Sequence, residues 1–177
     1  AAKALTPSSG NGALVVSGNT QLSSNNAQMI TLDDISNNFT TVSVGSTGDS
    51  VTLRDADSIV LGAINAANLD VTAAGNITQS DGITTTGNAR FAATNINLNT
   101  HTNDFLNLSL SGVNATVTDN SSTNLSAANL SGDLTLTSTG DITDSGPLVV
   151  SGTTTLSSGN SITLDEAAND FATVTVA

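Results

Sequence analysis

Apolar and polar residues alternate in short runs along the chain. "ITLDD" (30–34), "VTLRDAD" (51–57), "LDVTAAG" (69–75), "LTLTSTG" (134–140) and "TVTVA" (173–177) each place apolar residues two apart, and most runs are followed by Gly, Asn, Asp or Ser. A period of two closed by turn residues is the pattern of half-buried strands. In "ITLDD", Ile30 and Leu32 point inward and Thr31 outward. The same reading turns Val42, Val51, Leu53, Val60, Leu69, Val71, Ile77, Leu134, Leu136, Ile142, Ile162 and Leu164 inward. Helical spacing is sustained nowhere. Ala-rich "INAANLD" (64–70) is too short and too broken by Asn to form a stable helix.

The runs recur at close, even spacing. Val42, Val51, Val60 and Leu69 stand nine residues apart, and Leu14, Leu22 and Ile30 eight apart. A longer period lies above this one. "GNGALVVSGNTQLSSNNAQMITLDDISNNF" (10–39) returns as "SGPLVVSGTTTLSSGNSITLDEAANDF" (145–171) and, in worn form, as "SDGITTTGNARFAATNINLNTHTNDF" (80–105). Phe39, Phe105 and Phe171 close the three copies at steps of 66 and 66, and Gly18, Gly87 and Gly152 mark them at steps of 69 and 65. A second phrase, "NLDVTAAGNITQSDG" (68–82), returns as "DLTLTSTGDITDSG" (133–146). A fixed period of this length is the mark of a repeat architecture. The 177 residues hold roughly two and two-thirds copies and read as a window on a longer array.

Composition narrows the architecture. Aromatic residues are 2% of the chain, so a thick globular core built on large rings is out of reach. A core one side chain deep can be filled by Val, Ile, Leu and Ala. Charge is only 10% and the apolar residues alternate regularly, which argues against disorder. A sandwich also shows even strand spacing, but it needs two core-facing sheets and distinct hairpins. The pattern predicts an all-β fold: a right-handed parallel β-helix, or β-solenoid, with about three strands and roughly 22 residues per coil. Residues 1–177 then form one continuous segment of about eight coils, a rod about 40 Å long at the ~4.8 Å strand spacing. Asn, Gly, Asp and Ser serve the corners, and stacked Asn side chains form ladders. Each copy of the long phrase would build the next layers of one column.

"NLDVTAAGNITQSDG" (68–82), "LVVSGTTTLSSGNSITLD" (148–165) and "NDF" (103–105, 169–171) resemble the degenerate β-strand repeats of large secreted bacterial adhesins of the filamentous-haemagglutinin type, which leave the cell by two-partner secretion. The resemblance covers essentially the whole chain. It implies an extracellular or cell-surface structural module, a rigid stalk or spacer in an adhesin. The alternative is a building unit of a self-assembling extracellular fibre. The expected partners are neighbouring repeats of the same chain, with end-to-end or lateral self-association. The secretion domain of that family has no counterpart in these residues. "AAKALTPSSG" (1–10) lacks the apolar core of a signal peptide, and "AAKALTPSSGNG" (1–12) is too short and polar to cap an open coil.

The chemistry in the letters is sparse. The net charge is −12, with Lys3, Arg54 and Arg90 the only cations, so there is no positive footprint for nucleic acid or for an anionic membrane. No apolar run is long enough to enter a bilayer as a helix, and there is no Cys. Asp33–Asp34, Asp55–Asp57 and Asp165–Glu166 are carboxylate pairs of the kind that hold Ca²⁺, but they stand where strands end and read as turn formers. His101 is the single histidine and Asp104 lies near it. A Ser-His-Asp arrangement is the weakest of the readings, and a surface loop the strongest. A glycosidase would want aromatic platforms and an interruption of the repeat, and neither is present. The expectation is no catalytic residue, no metal site, no cofactor and no enzyme. Thr84–Thr86 and Thr153–Thr155 raise the idea of a flat ice-binding array, without a T-x-T rank in every coil. Seven N-x-S/T sequons, at Asn38, Asn76, Asn107, Asn114, Asn120, Asn124 and Asn129, are glycan acceptors by pattern alone.

Overall fold

The computed structural model describes residues 12–24, 29–45 and 50–177. Lys3, Pro7 and most of the 1–12 segment lie outside the described residues. Fifteen strands follow one another: β1 (Val15–Leu22), β2 (Ile30–Leu32), β3 (Asn38–Gly45), β4 (Ser50–Asp55), β5 (Ile59–Ala66), β6 (Asn68–Ala73), β7 (Ile77–Gln79), β8 (Ile83–Leu98), β9 (Asp104–Asp119), β10 (Thr123–Leu130), β11 (Leu134–Ser138), β12 (Ile142–Asp144), β13 (Leu148–Ser158), β14 (Ile162–Thr163) and β15 (Asp170–Val176). There is no helix among the described residues, and "INAANLD" is strand: β5 runs through Ala66 and β6 begins at Asn68.

Every strand pairing is parallel. Each strand lies over the strand one coil before it, so the chain winds as a β-solenoid. One column can be followed from end to end: Asn19, Thr41, Val60, Thr78, Asn97, Thr116, Thr135, Thr155, Thr175. Its nine rungs make eight turns, at steps of 18 to 22 residues. Most steps are 19 or 20, so the coil is tighter than the 22 residues expected. In the middle of the rod β8 and β9 each run 16 residues with bulges in place of loops, which shortens the corners.

Alternation decides the faces. Next to the outward column runs an inward one that includes Val42, Leu61, Val117, Leu136 and Leu156, each almost fully buried. Of the fourteen residues expected inside, Ile30, Leu32, Val42, Val51, Leu53, Leu69, Val71, Ile77, Leu134, Leu136 and Ile142 are buried. Val60 is not. It stands in the outward column between Thr41 and Thr78, while Ile59 and Leu61 take the core. "SIVLG" offers three apolar residues in a row, and nine-residue spacing selects the wrong one. Ile162 and Leu164 pack against the core but stay only partly buried, because no described coil lies above them. The core is aliphatic apart from Phe39, Phe91 and Phe105. Phe91 and Phe105 meet edge to face at 5.8 Å and 72°. Among the described residues three buried hydroxyls have no partner, those of Thr20, Thr85 and Thr154.

The long repeat and the coil are out of step. Phe171 stacks on Val150, which stacks on Leu130, which stacks on Gly112. Phe105 lies in the same winding as Gly112 but seven residues earlier, on Thr85. The Phe landmarks therefore do not form one column. Phe39 and Phe171 lead into the same face of the rod, where Thr41 and Thr175 stand seven turns apart. Phe105 leads into a different face, where Asn107–Leu110 lie on Asn88–Phe91. Two repeats span about seven turns, so one repeat advances about three and a half. This physical phase explains why the first and third copies agree best in sequence: they occupy the same side of the rod.

Candidate functional site

Apart from Thr85 and Thr154, which lie on the core face within strands, the buried polar groups of the rod cluster near the strand ends. Asn37 and Asn103 are almost completely enclosed. The Asn37 side-chain oxygen accepts the Leu14 N–H at 2.9 Å, and its amide nitrogen donates to the Leu32 carbonyl at 3.2 Å. Asn103 repeats this with the Ile83 N–H at 3.0 Å and the Leu98 carbonyl at 3.0 Å. Asn169 takes the Leu148 N–H at 2.9 Å. The three Asn residues stand 66 apart, so this is the first element of "N-x-F". Its last element is held from the following coil. The Phe39 N–H donates to Asp55 at 2.7 Å, and the Phe105 N–H to Asp119 at 3.0 Å. The phrase is a clamp across three coils, and it satisfies backbone groups that a corner leaves without ladder partners.

Asp55 and Asp119 are both buried, and burial, which disfavours the charged form, pushes their pKa values up. Asp119 also accepts the Thr123 hydroxyl at 2.6 Å. In sequence Asp55 reads as a turn former at a strand end, and Asp119 carries no signal of its own. Their shared place, 16 and 14 residues after a repeat Phe, is the signal that could have found both.

The other carboxylate pairs occupy turns. Asp34 accepts the Ser36 N–H at 2.9 Å, and Asp57 accepts the Asn38 amide at 2.9 Å. The Asp165 N–H donates to Asp144 at 3.0 Å. No group of three or more His, Asp or Glu that could hold a metal ion is present among the described residues. His101 is exposed and its Nδ1 lies 3.1 Å from the Thr100 hydroxyl, whereas Asp104 accepts the Ser121 hydroxyl at 2.9 Å. The structure does not bring His101 and Asp104 into a hydrogen bond. Arg90 pairs with Asp70 at 2.9 Å on the surface, beside a shallow groove of about 370 Å³ over Ser109, Ser111 and Ala127.

On the outside, an unbroken hydrogen-bond column joins six rungs. The Asn76 N–H donates to Ser58, Asn95 to Asn76, Asn114 to Asn95, the Asp133 N–H to Asn114, and the Thr153 N–H to Asp133, at 2.7 to 2.9 Å. The expected ladder exists, with Ser and Asp continuing the Asn run. Two pleats along the strand, the outward column places Thr41, Thr78, Thr116, Thr135, Thr155 and Thr175 on one face, interrupted by Val60 and Asn97. The spacing in sequence hid this rank, because each Thr comes from a different strand. Of the sequon residues, Asn38, Asn114 and Asn124 donate their amide nitrogens to side chains in neighbouring coils. Asn120 is exposed in the bend between β9 and β10.

A parallel solenoid whose buried polar groups bind one coil to the next defines a β-solenoid repeat protein. The chain belongs to the family described as repeats of unknown function (DUF5649), whose model matches residues 1–45, 48–111 and 112–177. The matched units end about six residues after each repeat Phe, and so agree with the 66-residue period. No curated protein and no solved structure matches the chain.

Proposed function

We propose that this chain is a rigid stalk or spacer module of a large extracellular bacterial surface protein, with no catalytic role. The observation that carries the reading is where the polar chemistry goes. The clamp residues Asn37, Asn103, Asp55 and Asp119 and the Ser58-to-Thr153 column all face neighbouring coils of the same chain. Eight turns at ~4.8 Å give a straight span of about 38 Å, and a longer array would extend it without new chemistry. The likeness to haemagglutinin-type adhesins rests on sequence phrases alone, and the surface location is part of the proposal.

Deleting two full repeats from the parent protein tests it. A spacer should be displayed as before and keep its distal activity, with its reach shortened by about 34 Å, seven turns at the strand spacing. Normal display with abolished binding would assign the ligand site to the repeats instead.

A further inference from the structure

Asp-Gly occurs once in the chain, at Asp81–Gly82, in the bend between β7 and β8. Asp81 is exposed, and its carboxylate folds back on its own backbone: Oδ1 accepts the Gly82 N–H at 2.8 Å. Short acidic side chains make such local bonds readily. Here the bond brings a carboxyl carbon beside the nitrogen of the next peptide unit, and Gly82 has no side chain to shield that nitrogen. Among the described residues no ladder acceptor holds the Gly82 N–H. Only the Gly82 carbonyl is tied to the neighbouring coil, accepting the Ile64 N–H at 3.1 Å.

The same peptide unit is polarised from its other end. The Gln79 amide nitrogen donates to the Asp81 carbonyl at 2.8 Å. That carbonyl is conjugated to the Gly82 nitrogen. A donor on its oxygen therefore stabilises the negative charge that appears as the N–H gives up its proton. Gln79 is buried and Asn103 fixes it: Gln79 donates to Asn103 Oδ1 at 2.9 Å, and Asn103 donates to Gln79 Oε1 at 3.2 Å. The corner clamp thus holds a donor against this one peptide. The related phrase "DSG" (144–146) lacks the arrangement. Asp144 accepts from the Asp165 N–H and from Asn169, and the Ser145 N–H is bound to the Leu125 carbonyl at 3.1 Å.

We infer that Asp81–Gly82 is a site of spontaneous backbone rearrangement, at which the folded rod converts aspartate to isoaspartate. The Gly82 nitrogen attacks the Asp81 carboxyl carbon. Its proton passes to Oδ1, and that oxygen leaves as water with a second proton from solvent, closing a succinimide ring. Water then opens the ring: its hydroxyl adds to a carbonyl carbon, its hydrogen to the nitrogen, and the new acid returns a proton to solvent. Opening at the former main-chain carbonyl routes the chain through the side-chain carboxyl. Water is the one co-reactant, and it reaches the exposed Asp81 from solvent. Proximity and a preorganised donor supply the acceleration. The product has a longer main chain just where buried Ile83 enters the core and donates its N–H to Asn103 at 3.0 Å.

Incubation of the folded 177-residue chain in neutral buffer tests this. Trypsin releases residues 55–90 as one peptide, because Arg54 and Arg90 bound it. A new form of that peptide with unchanged mass should accumulate, preceded by one lighter by a water, and electron-transfer fragmentation should place the change at Asp81. The synthetic peptide TQSDGIT (78–84) gives the rate without the corner. The folded chain should rearrange faster than this peptide. Unfolded molecules cannot exceed the peptide's rate, so the comparison reads the folded corner. Asp81→Glu, with folding checked by circular dichroism, should lose the product. A folded chain no faster than the peptide, a product that persists in Asp81→Glu, or isoaspartate at Asp55, Asp57 or Asp70 instead would each overturn the inference.

Discussion

β1 and the first part of β13 share almost the same letters and have different surroundings. In β13, Val150, Thr154 and Leu156 are all at or below 1% exposed, between β11 and β10 below and β15 above. In β1, Val16 is only partly buried and Leu22 keeps 8% exposure, with β3 above and no described strand below. The inward phase is identical, so burial here is a property of stacking. A strand in a solenoid has one core, but it needs two neighbours to be covered. This is the nearest-neighbour logic of repeat proteins, in which each layer's stability depends on the layers flanking it.

The most damaging way to probe a covered layer is to charge it. Leu136→Asp would bury a carboxylate without a partner between Val117 and Leu156 and should cost several kcal/mol. Thr135→Asp, one residue away on the outer face, should cost under about 1 kcal/mol. Urea melts of the two variants check the assignment of faces, and equal midpoints would break it.

The glycines sharpen the comparison directly. Gly152→Ala forces a methyl group against the Gly132 backbone and should destabilise by about 1–3 kcal/mol. Gly18→Ala, with no atom of the described residues within 4 Å of the added methyl, should change stability by no more than about 0.5 kcal/mol. Thermal melts of the pair decide whether these positions differ through neighbours or through backbone propensity. Similar losses at both would favour propensity.

The smallest effect separates the corner clamps from the exposed turns. Burial raises the Asp119 and Asp55 pKa values, so the folded state holds protons more tightly than the unfolded chain. Their contribution is fully present below the ordinary carboxylate range and is lost as pH rises through the folded values. Stability should therefore rise on acidification from neutrality toward that range. Exposed Asp141 has the opposite sign: hydrogen bonds from Ser161 lower its pKa, so its contribution fades only at still lower pH. Asp119→Asn should flatten the slope measured by denaturant melts between pH 7 and 4. An unchanged slope would place the titration elsewhere.

Much of this molecule is legible in one dimension. The alternation sorted eleven of the fourteen expected core positions into fully buried sites, and the scarcity of aromatics matched a core one side chain deep. The repeat pointed to stacked coils, and the abundance of Asn to ladders. These features are local: a pleat alternates every residue, and a corner demands particular backbone freedom wherever it occurs. The site-like carboxylates were less legible, since Asp55 and Asp57 look alike in sequence while only Asp55 lies in the inward phase of β4.

Coil length, the phase of the repeat and the buried partners of the corners were decided only in three dimensions. Val60 and Ile59 are equally apolar, and the rung below determines which one faces the core. A 66-residue repeat is compatible with three coils or with three and a half. The choice depends on how many residues each corner absorbs, and bulges after Thr85, Leu125 and Val150 settle that through contacts with adjacent coils. Asp119 is a core residue whose carboxylate accepts the Phe105 N–H, fourteen residues earlier in the chain. Sequence alternation assigns each side chain a direction, but its neighbour is set by the number of residues in a full turn, a sum over every corner that no single stretch contains.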